Sequence, residues 1–164
     1  MSRIVLREVT CQDFPLLLAW RLNAEICSSF YYQQGPFTWE SLLDWVYSSD
    51  RVIRIVDYFY DEVNRYCRPV GWVELFGFAS ERAEVGEAIA EPALRNLDIA
   101  TEMDKITWPM AIDLSKMYGF KGVKAIVSDS NLSVLGLLTK LGFVRGGSVG
   151  DGFSEYQKDI VIGQ

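Results

Sequence analysis

The stretch of this chain best suited to chemistry runs from Ala83 to Met110 (AEVGEAIAEPALRNLDIATEMDKITWPM). Val85, Glu87 and Ile89 alternate with Gly86, Ala88 and Ala90, which is the period of a strand with two different faces. Pro92 opens a loop, and Ile99, Met103, Ile106 and Met110 then recur at spacings of four, three and four, predicting a helix that starts near Asp98. The first N–H groups of a helix lack intrahelical partners and sit at the positive end of its dipole. The loop is therefore a cradle for a diphosphate.

The chain contains no histidine. That removes Ser-His-Asp and Cys-His catalysis, most zinc sites and imidazole as a general base, so no metal centre is expected. Acid–base work must fall to Glu, Asp, Tyr, Lys, Cys, a serine or water.

With 164 residues, 49% hydrophobic and 23% charged, the sequence reads as one globular domain, 1–164. A net charge of −6 argues against nucleic acid as a partner and leaves room for cationic or amine-bearing ones. No signal peptide and no apolar run of membrane-spanning length is visible, so a cytoplasmic protein without a membrane partner is expected. Cys11, Cys27 and Cys67 are unpatterned, which suggests reduced thiols serving as buried filler.

These residues need elements to hold them. Ile4 to Arg7 reads as a strand, and Gln12 to Arg21 as a helix capped by Thr10 or Cys11. Ile26 to Phe37 is an aromatic loop with Phe30, Tyr31, Tyr32 and Phe37, read as core packing or as one wall of an acceptor pocket. Thr38 caps a second helix carrying Trp39, Leu42, Leu43, Trp45 and Val46. Arg51 to Tyr60 and Pro69 to Phe78 are strands joined through a polar turn from Asp61 to Arg68. After the long helix come a strand from Val123 to Val127, a helix from Leu132 to Leu141 capped by Asn131 or Ser130, and a stop at Gly142. Phe143 to Val149 and Phe153 to Ile162 form a closing hairpin around Gly150-Asp151-Gly152. Pro109, inside the long helix, predicts a kink or break near Trp108.

This order of elements resembles the GNAT acyl-CoA N-acyltransferase superfamily, and the local text carries the resemblance over nearly the whole chain. Leu6, Arg7, Asp13, Trp20 and Arg21 match the entry segment of the branch containing ribosomal-protein and nucleotide-amino-sugar N-acetyltransferases. Pro69-Val70-Gly71-Trp72 is similar to its third strand, Glu84-Val85-Gly86 with Pro92 to its fourth, and Asn131 with Lys140-Leu141-Gly142-Phe143 to its closing segment. The fold this implies is α/β (α+β): a mostly antiparallel mixed sheet of about seven strands flanked by about four helices. Acetyl-CoA is the implied cosubstrate, with an amine-bearing small molecule or a protein N-terminus as acceptor; a homodimer is left open.

The acyl-CoA loop implied by the resemblance is Arg95-Asn96-Leu97-Asp98-Ile99-Ala100 followed by Thr101. Arg95 and Ala100 match the family pattern, whereas Asp98 replaces a glycine. A glycine there permits unusual dihedrals and close backbone approach; an aspartate brings a carboxylate near the phosphates unless it turns away, and it is also a helix cap. The resemblance further implies direct attack of the amine on the thioester, whose carbonyl is oriented by strand backbone around Ala88, Ile89 and Ala90, with the pantetheine arm running towards Asn131. Glu87 is the first candidate for the base, through water, with Glu74 and Asp129 as alternates. Many relatives place a tyrosine acid where this chain has Leu138. Ser128 or Ser133 ordering a water, unassisted departure of the thiolate, or decayed chemistry are the alternatives. A rival reading is a partner-binding protein on a degenerate GNAT fold, prompted by Asp98 and Leu138.

Overall fold

A computed structural model describes residues 2–27, 36–61, 63–95 and 97–161. Phe30, Tyr31, Tyr32, Asn96 and Ile162 lie outside the described residues. The strands are β1 (Ile4–Glu8), β2 (Arg51–Asp61), β3 (Tyr66–Phe76), β4 (Arg82–Ile89), β5 (Gly122–Ser128), β6 (Val144–Gly150) and β7 (Phe153–Asp159). The helices are α1 (Phe14–Leu22), the single turn α2 (Ala24–Cys27), α3 (Trp39–Val46), α4 (Ile99–Tyr118) and α5 (Leu132–Lys140). The strands form one seven-stranded sheet in the order β1-β2-β3-β4-β5-β7-β6. Only β4 and β5 pair in parallel, and α4 is the crossover that a parallel pair requires. The architecture is the GNAT fold.

Local chemistry sets the boundaries. Thr38 Oγ1 accepts from the Ser41 N–H at 3.1 Å while Ser41 Oγ accepts from the Thr38 N–H at 3.2 Å, a reciprocal box that starts α3. Asn131 Oδ1 accepts from the Val134 N–H at 3.4 Å to start α5, and Gly142, at φ 88°, stops it. Asp151 and Gly152 both have positive φ between the paired Gly150 and Phe153, as a tight hairpin turn demands. Arg7 donates to Asp57 at 2.7 Å and to Asp13 at 2.8 Å, tying β1 to β2 and to the start of α1. The Arg7 guanidinium holds the Asp13 carboxyl below its usual range.

One face of the sheet packs on α1 to α3 through tryptophans: Trp20 stacks on Trp72 at 5.9 Å, and Trp45 meets Trp72 edge-on at 5.8 Å. Trp72 is fully buried, and such rings contribute area burial plus about 0.5–1.5 kcal/mol per well-formed pair. The other face carries α4, whose Ile99 and Met103 pack with Val56, Val70, Val73 and Leu94.

Four expectations need correction. The buried line of α4 is Ile99, Met103, Thr107, Ala111 and Ser115, not one through Ile106 and Met110, which are only half-buried. The helix runs uninterrupted through Pro109. Pro109 and Lys105, whose carbonyl loses its donor, are both exposed, so water can replace the missing bond. Cys27 is buried, but Cys11 and Cys67 are exposed thiols rather than filler. In addition β3 begins at Tyr66, so the turn after β2 is shorter than the polar run suggested.

Candidate active site

The parallel pairing of β4 and β5 ends early. Arg82, Ala83 and Glu84 pair with Gly122, Val123 and Lys124, and there the ladder stops, although β4 continues to Ile89 and β5 to Ser128. Beyond that apex each strand is paired only on its outer side, β4 with β3 and β5 with β7. The inner edges border a cleft of about 820 Å³ that passes through the sheet. Peptide N–H and C=O groups along such an edge are strong hydrogen-bonding groups in want of partners, and an extended molecule with amides of its own can supply them.

Alternation along β4 divides the cleft into two halves. Val85 and Ile89 pack with Ile99 and Met103, so Glu87 between them faces α4. Ala88 belongs with Trp72 and Trp45, and Gly86 lies against the Glu74 side chain, so the intervening positions face α1 and α3.

The α4 half leads to the loop after β4. Asp98 is the N-cap of α4 at φ 58°, ψ 21°, a left-handed conformation, and its side chain caps nothing. Aspartate is among the few residues that tolerate this region. The first N–H groups of α4 are thus left without a side-chain cap at the positive end of a 20-residue helix. Arg95 Nε donates to the Ile89 carbonyl at 3.1 Å and Nη1 pairs with Glu25 at 3.3 Å, which fixes the guanidinium at the mouth of the cleft. Arg3 donates to the Leu97 carbonyl and to Glu102, anchoring the loop from the other side. Ile89, Arg95, Ala100 and Asn131 line the cleft, whereas Ala90, Leu97, Asp98, Ile99 and Thr101 border the loop outside its lining. The Asn131 amide nitrogen is not engaged by the helix cap.

The α1–α3 half is built around Glu74. Its Oε2 accepts from Trp45 Nε1 at 2.6 Å and from Arg51 Nη1 at 2.5 Å, so the carboxylate is buried and neutralised in place. Arg51 lies 4.1 Å over the Phe76 ring, and Arg21 lies 4.4 Å and 4.6 Å over Phe37 and Trp45. Burial pulls the Arg21 pKa down, while Glu74 pulls it up. Glu84 stands at the apex, buried.

Glu87 is a strongly perturbed carboxyl of the cleft. Burial, and then the Asp104 carboxylate, raise its pKa to about 7. By its accessible surface the side chain is nevertheless exposed, opening into the cleft between β4, β5 and α4. Burial also raises the pKa of Asp104, opposed by Lys158. Carboxyls tuned in this way are suited to proton transfer near neutral pH.

The structure thus brings Glu87 and Glu74 to the cleft, in opposite halves. Asp129 and Ser128 are not among its lining residues: Asp129 accepts from Ser154 Oγ at 2.5 Å, and Ser128 and Ser130 share a hydroxyl contact at 2.9 Å. Ser133 and the buried Leu138 line it from α5. Glu84, Asp104, Thr107 and Arg51 also line it and were not singled out as site residues by the sequence. Period two could have put Glu84 on the face opposite Glu87; nothing local pointed to the others. Among the described residues there is no cluster of His, Cys, Asp and Glu fit to hold a metal, and no helix long and apolar enough to cross a membrane.

Residues 3–144 match the Acetyltransferase (GNAT) domain family. The chain belongs to that family, whose members use acyl-CoA. An uncharacterized protein of Methanocaldococcus jannaschii is 28% identical over 144 residues, covering 88% of this chain and 28% of that protein. The chain therefore spans little more than a quarter of the curated relative it matches. The crystal structure of a domain from the same organism has a TM-score of 0.82 at 28% identity, covering 98% of this chain and 100% of that one. A spermidine N-acetyltransferase from Vibrio cholerae, solved in complex with CoA and spermine, has a TM-score of 0.70 at 17% identity, covering 98% and 96%. At that identity the likeness speaks for the fold alone.

Proposed function

We propose that this chain, as one domain, transfers the acetyl group of acetyl-CoA to a primary amine by direct attack. The observation that carries this reading is the unpaired edge of β4 and β5 leading to the uncapped N-terminus of α4. On this reading Arg95, Asn96, Leu97, Asp98, Ile99, Ala100 and Thr101 hold the diphosphate, chiefly through backbone N–H groups. The pantetheine arm lies along Ile89 and Ala90 towards Asn131. The amine enters from the α1–α3 side, where aromatic rings and the Glu84 carboxylate at the apex suit a cation, Glu74 and Glu25 there being paired with Arg51 and Arg95. Holding amine and thioester together supplies much of the acceleration, and Glu87 is the carboxyl assigned to proton transfer.

The left-handed backbone at Asp98 favours this reading over a decayed, partner-binding GNAT fold, since the residue keeps the dihedrals that glycine would supply. Release of CoA thiol from acetyl-CoA tests it, with a polyamine, a nucleotide amino sugar and a peptide N-terminus as acceptors. We expect release with at least one of them, reduced at least tenfold in Arg95→Glu through loss of about 1.4 kcal/mol or more of cofactor binding. No release with any amine, together with no binding of acetyl-CoA, would leave the partner-binding reading standing.

A further inference from the structure

Glu87 of β4 and Asp104 of α4 both line the cleft, near enough for the Asp104 charge to act on Glu87, and Thr107 lies one turn further along α4. Thr107 is only 5% exposed, and its Oγ1 has no hydrogen-bond partner among the described residues. The helix runs back from the open end of β4 towards the apex. At 1.5 Å per residue it carries Asp104 about 7.5 Å and Thr107 about 12 Å inward from Ile99. An acyl-CoA arm anchored at the helix N-terminus must follow that direction to bring its sulfur between the strands.

The other walls of this half offer the sulfur little. From α5 come Asn131, Ser133, Val134, Leu137, Leu138 and Leu141, with no charged group and only the ordinary hydroxyl of Ser133. From β7 comes Lys158, whose ammonium lies 4.0 Å over the Trp108 ring and acts on Asp104. From β5 come Ala125 and Val127. The groups able to hold a proton near the sulfur's path are thus the two carboxyls, and Glu87 is the one on the strand edge itself.

Resting on the function proposed above, we infer that the Glu87 carboxyl, with Asp104 nearby, is the general acid that protonates the departing CoA thiolate. The amine nitrogen forms a bond to the thioester carbonyl carbon, and the electrons of the breaking C–S bond leave with sulfur. Glu87 gives its proton to that sulfur. The surplus proton on nitrogen passes to water in the α1–α3 half, and Glu87 is reprotonated from cleft water. Acetyl-CoA and amine become amide and free CoA thiol, with no other reactant. A carboxyl with pKa of about 7 is populated as the acid at neutral pH and is more acidic than an ordinary thiol of pKa about 8.5, so the transfer runs downhill. Asp104 keeps the proton on Glu87, because a second carboxylate nearby disfavours ionisation.

The pH dependence of kcat at saturating substrates separates this role from that of a base. An acid must be protonated, so wild-type kcat should fall as pH rises through about 7. In Glu87→Gln that limb should vanish, with kcat at low pH down by about 100-fold or more and KM for acetyl-CoA within about threefold. Asp104→Asn should move the limb to lower pH, which a merely structural role for Asp104 would not do. A kcat that instead rises through the same pH on a limb abolished by Glu87→Gln would make Glu87 a base and overturn the inference. An unchanged kcat in Glu87→Gln would overturn it too. Wild-type protein that fails to bind acetyl-CoA would bring down the proposed function itself, whereas turnover with the wrong limb would bring down only this inference.

Discussion

Glu84 and Lys124 are the last paired residues of β4 and β5, and past them the two strands part. Everything proposed for the site depends on the path β4 takes after that point, and β3 dictates the path. A Cβ on Gly71 would lie 2.0 Å from the Ala88 carbonyl oxygen, so only glycine lets β4 approach so closely. We expect Gly71→Ala to push Ala88 aside, to destabilise the fold by about 1–3 kcal/mol, and to weaken acetyl-CoA binding beyond what that loss explains. Thermal unfolding with and without acetyl-CoA checks both parts. A variant with wild-type melting and wild-type ligand shift would mean that the approach is not needed.

Asp98 occupies left-handed backbone at the mouth of the proposed diphosphate site. Replacing it by glycine relieves the conformation and removes a carboxylate. We expect Asp98→Gly to bind acetyl-CoA about fivefold more tightly, the equivalent of about 1 kcal/mol for one charge at close range in water. The gain should shrink at high salt. Calorimetry at low and high ionic strength reads this directly, and weaker binding would place the phosphates elsewhere.

Glu87 also makes stability depend on pH. Its folded pKa of about 7 lies above its ordinary 4.5, so between those values the folded state binds more protons than the unfolded one. The unfolding free energy must fall as pH rises through that window. Asp104, also raised, acts in the same direction. Asp13, held down by Arg7, contributes stability that is lost only as pH falls through its depressed folded value, below the ordinary 3.8. We expect the melting temperature of ligand-free protein to decline from about pH 5 to about pH 8, and the decline to be shallower in Glu87→Gln. Parallel profiles for the two proteins would mean that Glu87 titrates normally.

The elements were legible where a local rule fixes them. Thr38, Asn131 and Gly142 act within a few residues of themselves, and period two in β4 put Glu87 on the face of Val85 and Ile89. The α4 face was misread because hydrophobicity selected Ile106 and Met110, while the buried line carries Thr107, Ala111 and Ser115, short side chains that a hydrophobic pattern does not flag. Asp104 and Thr107 were hidden for the same reason. Glu84 was read as part of a motif, because an apex exists only once β5 has paired and parted. Asp129 was considered for the site, but β7 supplies Ser154 as its partner, a contact across 25 positions that spacing does not reveal.

Calorimetric titration of the intact chain with acetyl-CoA, with CoA as comparison, tests the central claim most directly. If the open strand edge and the uncapped helix hold the cofactor, both ligands should bind with dissociation constants on the order of micromolar, about −8 kcal/mol. No detectable heat with either ligand at concentrations on the order of millimolar, where binding would be worth only about −4 kcal/mol, would contradict it.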